Sequence, residues 1–163
     1  MPAGSAGICV MSTEREFASQ DHLLSIRQDL STILDILEGR FLYLIKEGGH
    51  GAIPPEAVAS ELSLLSRDLK ASFRRLVEME ERRDLSFKTT KELLEIDQHC
   101  MWLFRRIHLQ QIFLRKLSLE ANLRSLVSPE AFSIYQTLLG LDDEEREAQS
   151  TDDAMTRAII LKE

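Results

Sequence analysis

The sequence predicts an all-α protein: an antiparallel helical bundle or elongated coiled-coil hairpin of three long helices, with short C-terminal helices after them. Three observations carry this. Glycine and proline are scarce, seven and four in 163 residues, and they fall at the chain ends or between periodic segments. Apolar residues recur every three or four positions over long stretches instead of alternating. Helix-capping side chains stand where those stretches begin. Hydrophobic residues make up 44%, enough for a core, so wholesale disorder is not expected.

The first helix is expected to start at Thr13, where Thr13 and Glu16 make a capping box. Leu23, Ile26, Leu30, Ile33, Leu37 and Leu44 follow at coiled-coil spacing, with Arg40 interrupting the seam. Gly39 is the expected bend, and Gly48 and Gly49 the expected stop. The span is about 34 residues, or roughly 50 Å at 1.5 Å per residue. Residues 1–12 read as a disordered leader, with Met11 as an alternative start.

After a loop from Gly49 to Ile53, Pro54 and Pro55 suit the first turn of a second helix. Its seam is Val58, Leu62, Leu65, Leu69, Ser72, Leu76 and Met79. A break is expected between Arg82 and Thr90, with Ser86 or Thr89 as the next cap.

The third helix, about Thr90 to Val127, carries two stripes. Leu93, Ile96, Cys100, Leu103, Ile107, Leu114 and Ala121 share one face at ~100° per residue. Met101, Trp102, Leu109, Ile112, Phe113 and Leu119 lie roughly opposite, with Arg105 and Lys116 set among them. One stripe is enough to dock a helix on its neighbours. The second implies either a central helix packed on both sides or a surface for a partner, a homodimer included.

Ser128-Pro129-Glu130 signals a restart, and that helix is expected to run to Leu139 and end at Gly140. Residues 13–140 thus form the expected helical domain, and 141–163 an acidic segment and an amphipathic tail. Asp142 to Glu147 reads as a solvated run. Ser150 is the expected cap of a last helix bearing Met155, Ile159, Ile160 and Leu161.

Chemistry is not legible. The four histidines, His22, His50, His99 and His108, lack metal-ligand spacing: the only Glu-x-x-His is Glu47 with His50, across Gly48 and Gly49. Glu95 and His99 read as a helix-surface pair. There is no glycine-rich phosphate loop and no nucleophile elbow. No catalytic residue, metal site or cofactor is therefore expected. Cys9 and Cys100 make no disulfide framework, and Cys100 sits in an apolar pattern as a small hydrophobe, which fits a reducing compartment. No stretch reaches the roughly 18 apolar residues of a membrane helix, so membrane insertion is not expected. Net charge is −7, which argues against indiscriminate nucleic-acid binding. Arg105, Arg106, His108, Arg115, Lys116 and Arg124 make the third helix locally basic, and they are expected to face the acidic run or solvent.

The stretch Leu94-Glu95-Ile96-Asp97-Gln98-His99-Cys100-Met101-Trp102-Leu103, with Gln110, Gln111 and Leu114, resembles the last long helix of the FlgN-type flagellar export chaperones. Lys70 to Phe73 leading to Glu80-Glu81-Arg82-Arg83 is similar to the family's preceding helix, and the likeness covers roughly residues 20–120. Asp97 and Cys100 stand where the family has asparagines, and Tyr135 is followed by Gln136 and Thr137 instead of a glycine-containing tail. The resemblance implies a cytoplasmic bacterial chaperone of type III secretion that holds an exported client, such as a hook-associated protein, unassembled.

The expected function is thus non-enzymatic binding of a protein client or helical partner. Its expected contact residues are Met101, Trp102, Leu109, Ile112 and Phe113 in the third helix, and Met155, Ile159 and Ile160 in the tail. The alternatives are a structural adaptor that builds a homo-oligomer and, third, a helical enzyme or metal protein.

Overall fold

A computed structural model describes residues 27–82, 85–126 and 129–162. Among these the chain is all-α, with no strand. The helices are α1 (27–49 in its described part), α2 (Pro55–Glu80), α3 (Phe87–Ser125), α4 (Glu130–Ser150) and α5 (Asp153–Lys162). The expected leader, the Thr13 cap, Leu23, Ile26 and Ser128 lie outside the described residues.

The seam of α1 differs from the expected one. Leu30, Leu34, Leu37, Phe41 and Leu44 are buried, while Ile33 is only partly covered and Arg40 faces outward. The spacing is four-three-four-three where the sequence suggested three-four-three-four. Phe41 and Leu34 supply more apolar area than Arg40 and Ile33, so burial selects the register that hides them. Arg40 then lies beside the seam and pairs with Glu61 (3.4 Å) and Asp68 (3.8 Å) of α2. The helix passes through Gly39 without interruption.

α1 ends at Gly49, where its stop was expected, but neither Gly48 nor Gly49 is left-handed. The left-handed residue is Gly51, at φ 76°. The turn closes through Ala52 N–H donating to the Glu47 carbonyl (3.0 Å) and His50 N–H to that of Lys46 (3.1 Å). Gly48 serves packing instead: a Cβ there would sit 3.1 Å from a Val58 methyl, so its absence lets α1 and α2 approach.

α2 follows its expected seam, every member of which is buried, and adds Phe73. Ser72 satisfies its hydroxyl on the Asp68 carbonyl at 3.0 Å. α3 starts at Phe87, capped by Ser86, whose Oγ accepts from Thr89 N–H at 3.1 Å. One core joins the buried faces of α1, α2 and α3, with Ile160 from α5. Contacts advance in the same order along α1 and α3 (Arg27 with Glu92, Glu38 with His99). They run in reverse order along α2 and α3, and along α3 and α4.

α4 overruns its expected end by ten residues. Leu138 and Leu141 are both buried and flank Gly140 in sequence, so packing against α3 carries the helix through the glycine. Ser150 is the last residue of α4 and does not cap α5. That cap is Asp152, whose carboxylate accepts from Met155 N–H at 2.8 Å. No helix among the described residues is long and apolar enough to cross a membrane.

Candidate functional site

The second stripe of α3 divides in two. Met101 and Ile112 are buried against the chain itself, and Leu109 and Leu119 are half-buried. Trp102 and Phe113 are exposed, and Leu117 joins them. Positions 102, 106, 109, 113 and 117 make one line along α3 at helical spacing. Arg106 lies in that line, with its guanidinium 4.7 Å from the Trp102 ring centroid and 5.3 Å from that of Phe41.

α4 carries a second exposed line, Phe132, Tyr135 and Leu139, at spacings of three and four. The ion pairs between α3 and α4 fix which way it faces. His108 and Arg115 both reach Glu144, at 3.9 and 3.8 Å, and mark one flank of the seam. Lys116 reaches Asp142 and, at 2.6 Å, Glu145, and marks the other. At ~100° per residue, Phe113 and Leu117 on α3 and Tyr135 and Leu139 on α4 fall on the Lys116–Asp142 flank. The same pairs set the register: Lys116 is level with Asp142 and Glu145, so Phe132, Tyr135 and Leu139 lie level with the last turns of α3, beyond Phe113, and the two lines are separate patches. The i, i+3, i+7 pattern of the α4 patch was present in the sequence, inside the helix expected up to Leu139, but nothing there showed which face of that helix packs.

The expected pairing of the basic α3 residues with the acidic run is observed for His108, Arg115 and Lys116. Hydrogen bonds that Lys116 donates to Asp142 and Glu145 hold its ammonium above the usual range. Arg105 pairs with Asp153 of α5 at 2.9 Å.

The tail residues are also split. Ile160 is fully buried in the core, while Met155 and Ile159 are about half exposed. α5 is held by a clamp that sequence reasoning missed. Arg157 donates to Glu80 of α2 at 2.7 Å and to Asp97 of α3, and lies 5.3 Å from the Phe73 ring centroid. Burial pushes the Glu80 carboxyl up to about 7, aided by Asp97 and opposed by Arg157. Burial likewise pushes the Cys100 thiol up to about 12, with Asp97 and Glu80 adding to it. No spacing rule brings positions 80, 97 and 157 together.

His99 pairs across helices with Glu38 at 2.7 Å, in place of the expected Glu95 partner. With exposed Asp35 this makes the one group of three metal-capable side chains among the described residues, its ligand atoms within 4.8 Å of one another. The Glu38–His99 hydrogen bond already satisfies its two central atoms. An open groove of about 680 Å³ runs between the start of α2 and the second half of α3, past Ala59, Ser63, Ser118 and Ala121. Its ionisable lining residues are Glu56, His108 and Arg115, and the last two reach Glu144 at 3.9 and 3.8 Å. Compared with known proteins, the chain matches no family model, no curated protein and no solved structure.

Proposed function

We propose that this chain is a non-enzymatic binding protein of the cytoplasm, an antiparallel helical bundle that holds an amphipathic helix of a protein client, as an export chaperone does. The observation that carries the reading is the exposed apolar line Trp102, Phe113 and Leu117 on α3, with a further patch of Phe132, Tyr135 and Leu139 on α4. Single exposed apolar residues are ordinary, but six large ones in two patches suggest surface that a partner covers. Each patch repeats at helical spacing, which fits a client helix with apolar residues at i, i+3, i+4 and i+7. The resemblance to FlgN-type chaperones of flagellar export points to the same mode, with a secreted filament or hook-associated protein as the client.

The test is affinity capture from the source cell with the full chain and with Phe113→Asp and Leu139→Asp variants, followed by reconstitution of the captured protein at defined stoichiometry. One exported client, bound by the wild type and at least tenfold weaker with either folded variant, is the expected result. Unchanged binding by the double variant would sink these patches as the site. A large homo-oligomer in light scattering, with no client, would favour a self-assembling scaffold instead.

A further inference from the structure

A second surface is set apart from those patches. The carboxylates of Glu80 and Asp97 lie where α2 and α3 meet, with side chains only 17% and 13% exposed. Two acids so placed repel each other and need a cation. Arg157 is the cation that meets both, one guanidinium nitrogen to each, over the Phe73 ring. That is fork recognition, which an arginine provides and a lysine does not. Among the described residues no donor reaches the other, buried Glu80 oxygen.

Three positions on, Ile160 fills an apolar hole and is 0% exposed. α5 is short. It has ten residues, below the length at which a helix is stable alone. Met155, Ile159 and Leu161 stay about half exposed. Besides Arg157 and Ile160, its hold on the rest is Thr156, 1% exposed, and Asp153, which pairs with Arg105 at 2.9 Å.

We propose that the slot made by Glu80, Asp97 and Phe73 is a docking site for a partner's amphipathic helix that presents arginine and, three residues later, an aliphatic side chain, and that α5 is the resident occupant which such a helix displaces. α5 itself shows what fits: an arginine fork, one aliphatic anchor and a small buried side chain, Thr156, beside the arginine. A longer helix with the same anchors gains area along α2 and α3 that α5 leaves uncovered, because the open groove past Ala59 and Ser63 continues from Ile159. The site does not depend on the exposed patches of α3 and α4.

The probe is a fluorescent peptide of residues 152–163, titrated into the full chain. Arg157→Ala in the chain weakens the resident helix and leaves the slot intact, so the peptide is expected to bind this variant at least tenfold tighter than wild type. Replacing the peptide's own arginine by alanine, or adding Asp97→Asn to the chain, is expected to remove that gain. Absence of binding by an Arg157→Ala chain with native circular dichroism overturns the proposal, as does equal binding of both peptides. Hydrogen exchange of the wild type gives an independent check: α5 amides are expected to exchange at least tenfold faster than those of α2 and α3. Exchange at the global rate would show that α5 leaves only when the fold does, and would overturn it. A concentration-dependent dimer with exchanged α5 would assign the slot to a second copy and overturn the partner. Phe113→Asp is expected to leave peptide binding unchanged, which separates this site from the exposed patch of α3.

Discussion

At Glu80 the cost of burying a charge competes with the salt bridge that relieves it. Burial and the neighbouring Asp97 favour the protonated acid, Arg157 favours the carboxylate, and burial dominates, raising the group from 4.5 to about 7. A carboxyl whose folded value lies above its unfolded value binds more protons when folded. Its contribution to stability is complete below about 4.5 and is lost as pH rises through about 7. Wild type is therefore expected to lose on the order of 2 kcal/mol from this group between pH 5 and 8, and Glu80→Gln to lose that slope. Urea unfolding of both proteins at the two pH values checks this; Asp97, Arg157 and Cys100 face the group in both, so their influence is shared. Equal slopes would show that Glu80 is solvated. Cys100 gives a second residue-scale expectation. Its thiol is 1% exposed and pushed up to about 12 by burial and the nearby acids. In a Cys9→Ser background, a thiol reagent at pH 8 is expected to react at least a hundredfold faster in urea than in buffer. Prompt labelling of the native chain would refute the burial. Cys100 was legible from its place in an apolar stripe. The acids beside it were not, because Glu80 and Asp97 look like surface charges until a third helix covers them.

At the scale of elements, periodicity located the helices of the described residues, and packing decided their ends and registers. The seam of α2 was readable because its apolar positions leave one choice. That of α1 was not, because 30–33–37–40–44 and 30–34–37–41–44 both look like heptads. Only the wish of Phe41 to be buried, against Arg40, separates them. At α4 a turn residue misled: glycine is a frequent helix terminator, but Leu138 and Leu141 both dock on α3 and override it. This difference is measurable. A Cβ at Gly140 would meet nothing within 4 Å, and the residue is in mid-helix. Gly140→Ala is therefore expected to stabilise α4 by about 0.5–1 kcal/mol, by reducing the freedom of the unfolded chain. Had Gly140 ended the helix in a left-handed conformation, the same change would destabilise. The sign of the shift in thermal midpoint decides between the two. The exposed patches were legible to different degrees: that of α3 as a surplus stripe, that of α4 only as apolar spacing inside the expected helix, until the burial of Leu138 and Leu141 shows which face packs.

At the scale of the molecule, α4 stands apart from the rest. The core that joins α1, α2, α3 and Ile160 does not include Ile112, Leu138 or Leu141. Those three are buried separately, on the side of α3 that α4 covers. The remaining hold on α4 is electrostatic, through His108, Arg115 and Lys116, all at least partly exposed. Such pairs contribute about 0–1 kcal/mol each and weaken with salt. α4 is thus expected to open before the core does, as a unit of lower stability. In native-state hydrogen exchange, its amides should exchange faster than those of α2, and faster again in 0.5 M salt, on the order of threefold. Leu138→Ala should speed α4 exchange further while the slowest α2 amides hardly change; Leu65→Ala should speed both, costing about 2–5 kcal/mol globally. Uniform exchange across α2 and α4 would mean one cooperative unit. The outcome bears on the proposed binding, because α4 carries the patch of Phe132, Tyr135 and Leu139. If α4 opens on its own, the affinity of the proposed client for that patch is expected to depend on salt through the same ion pairs.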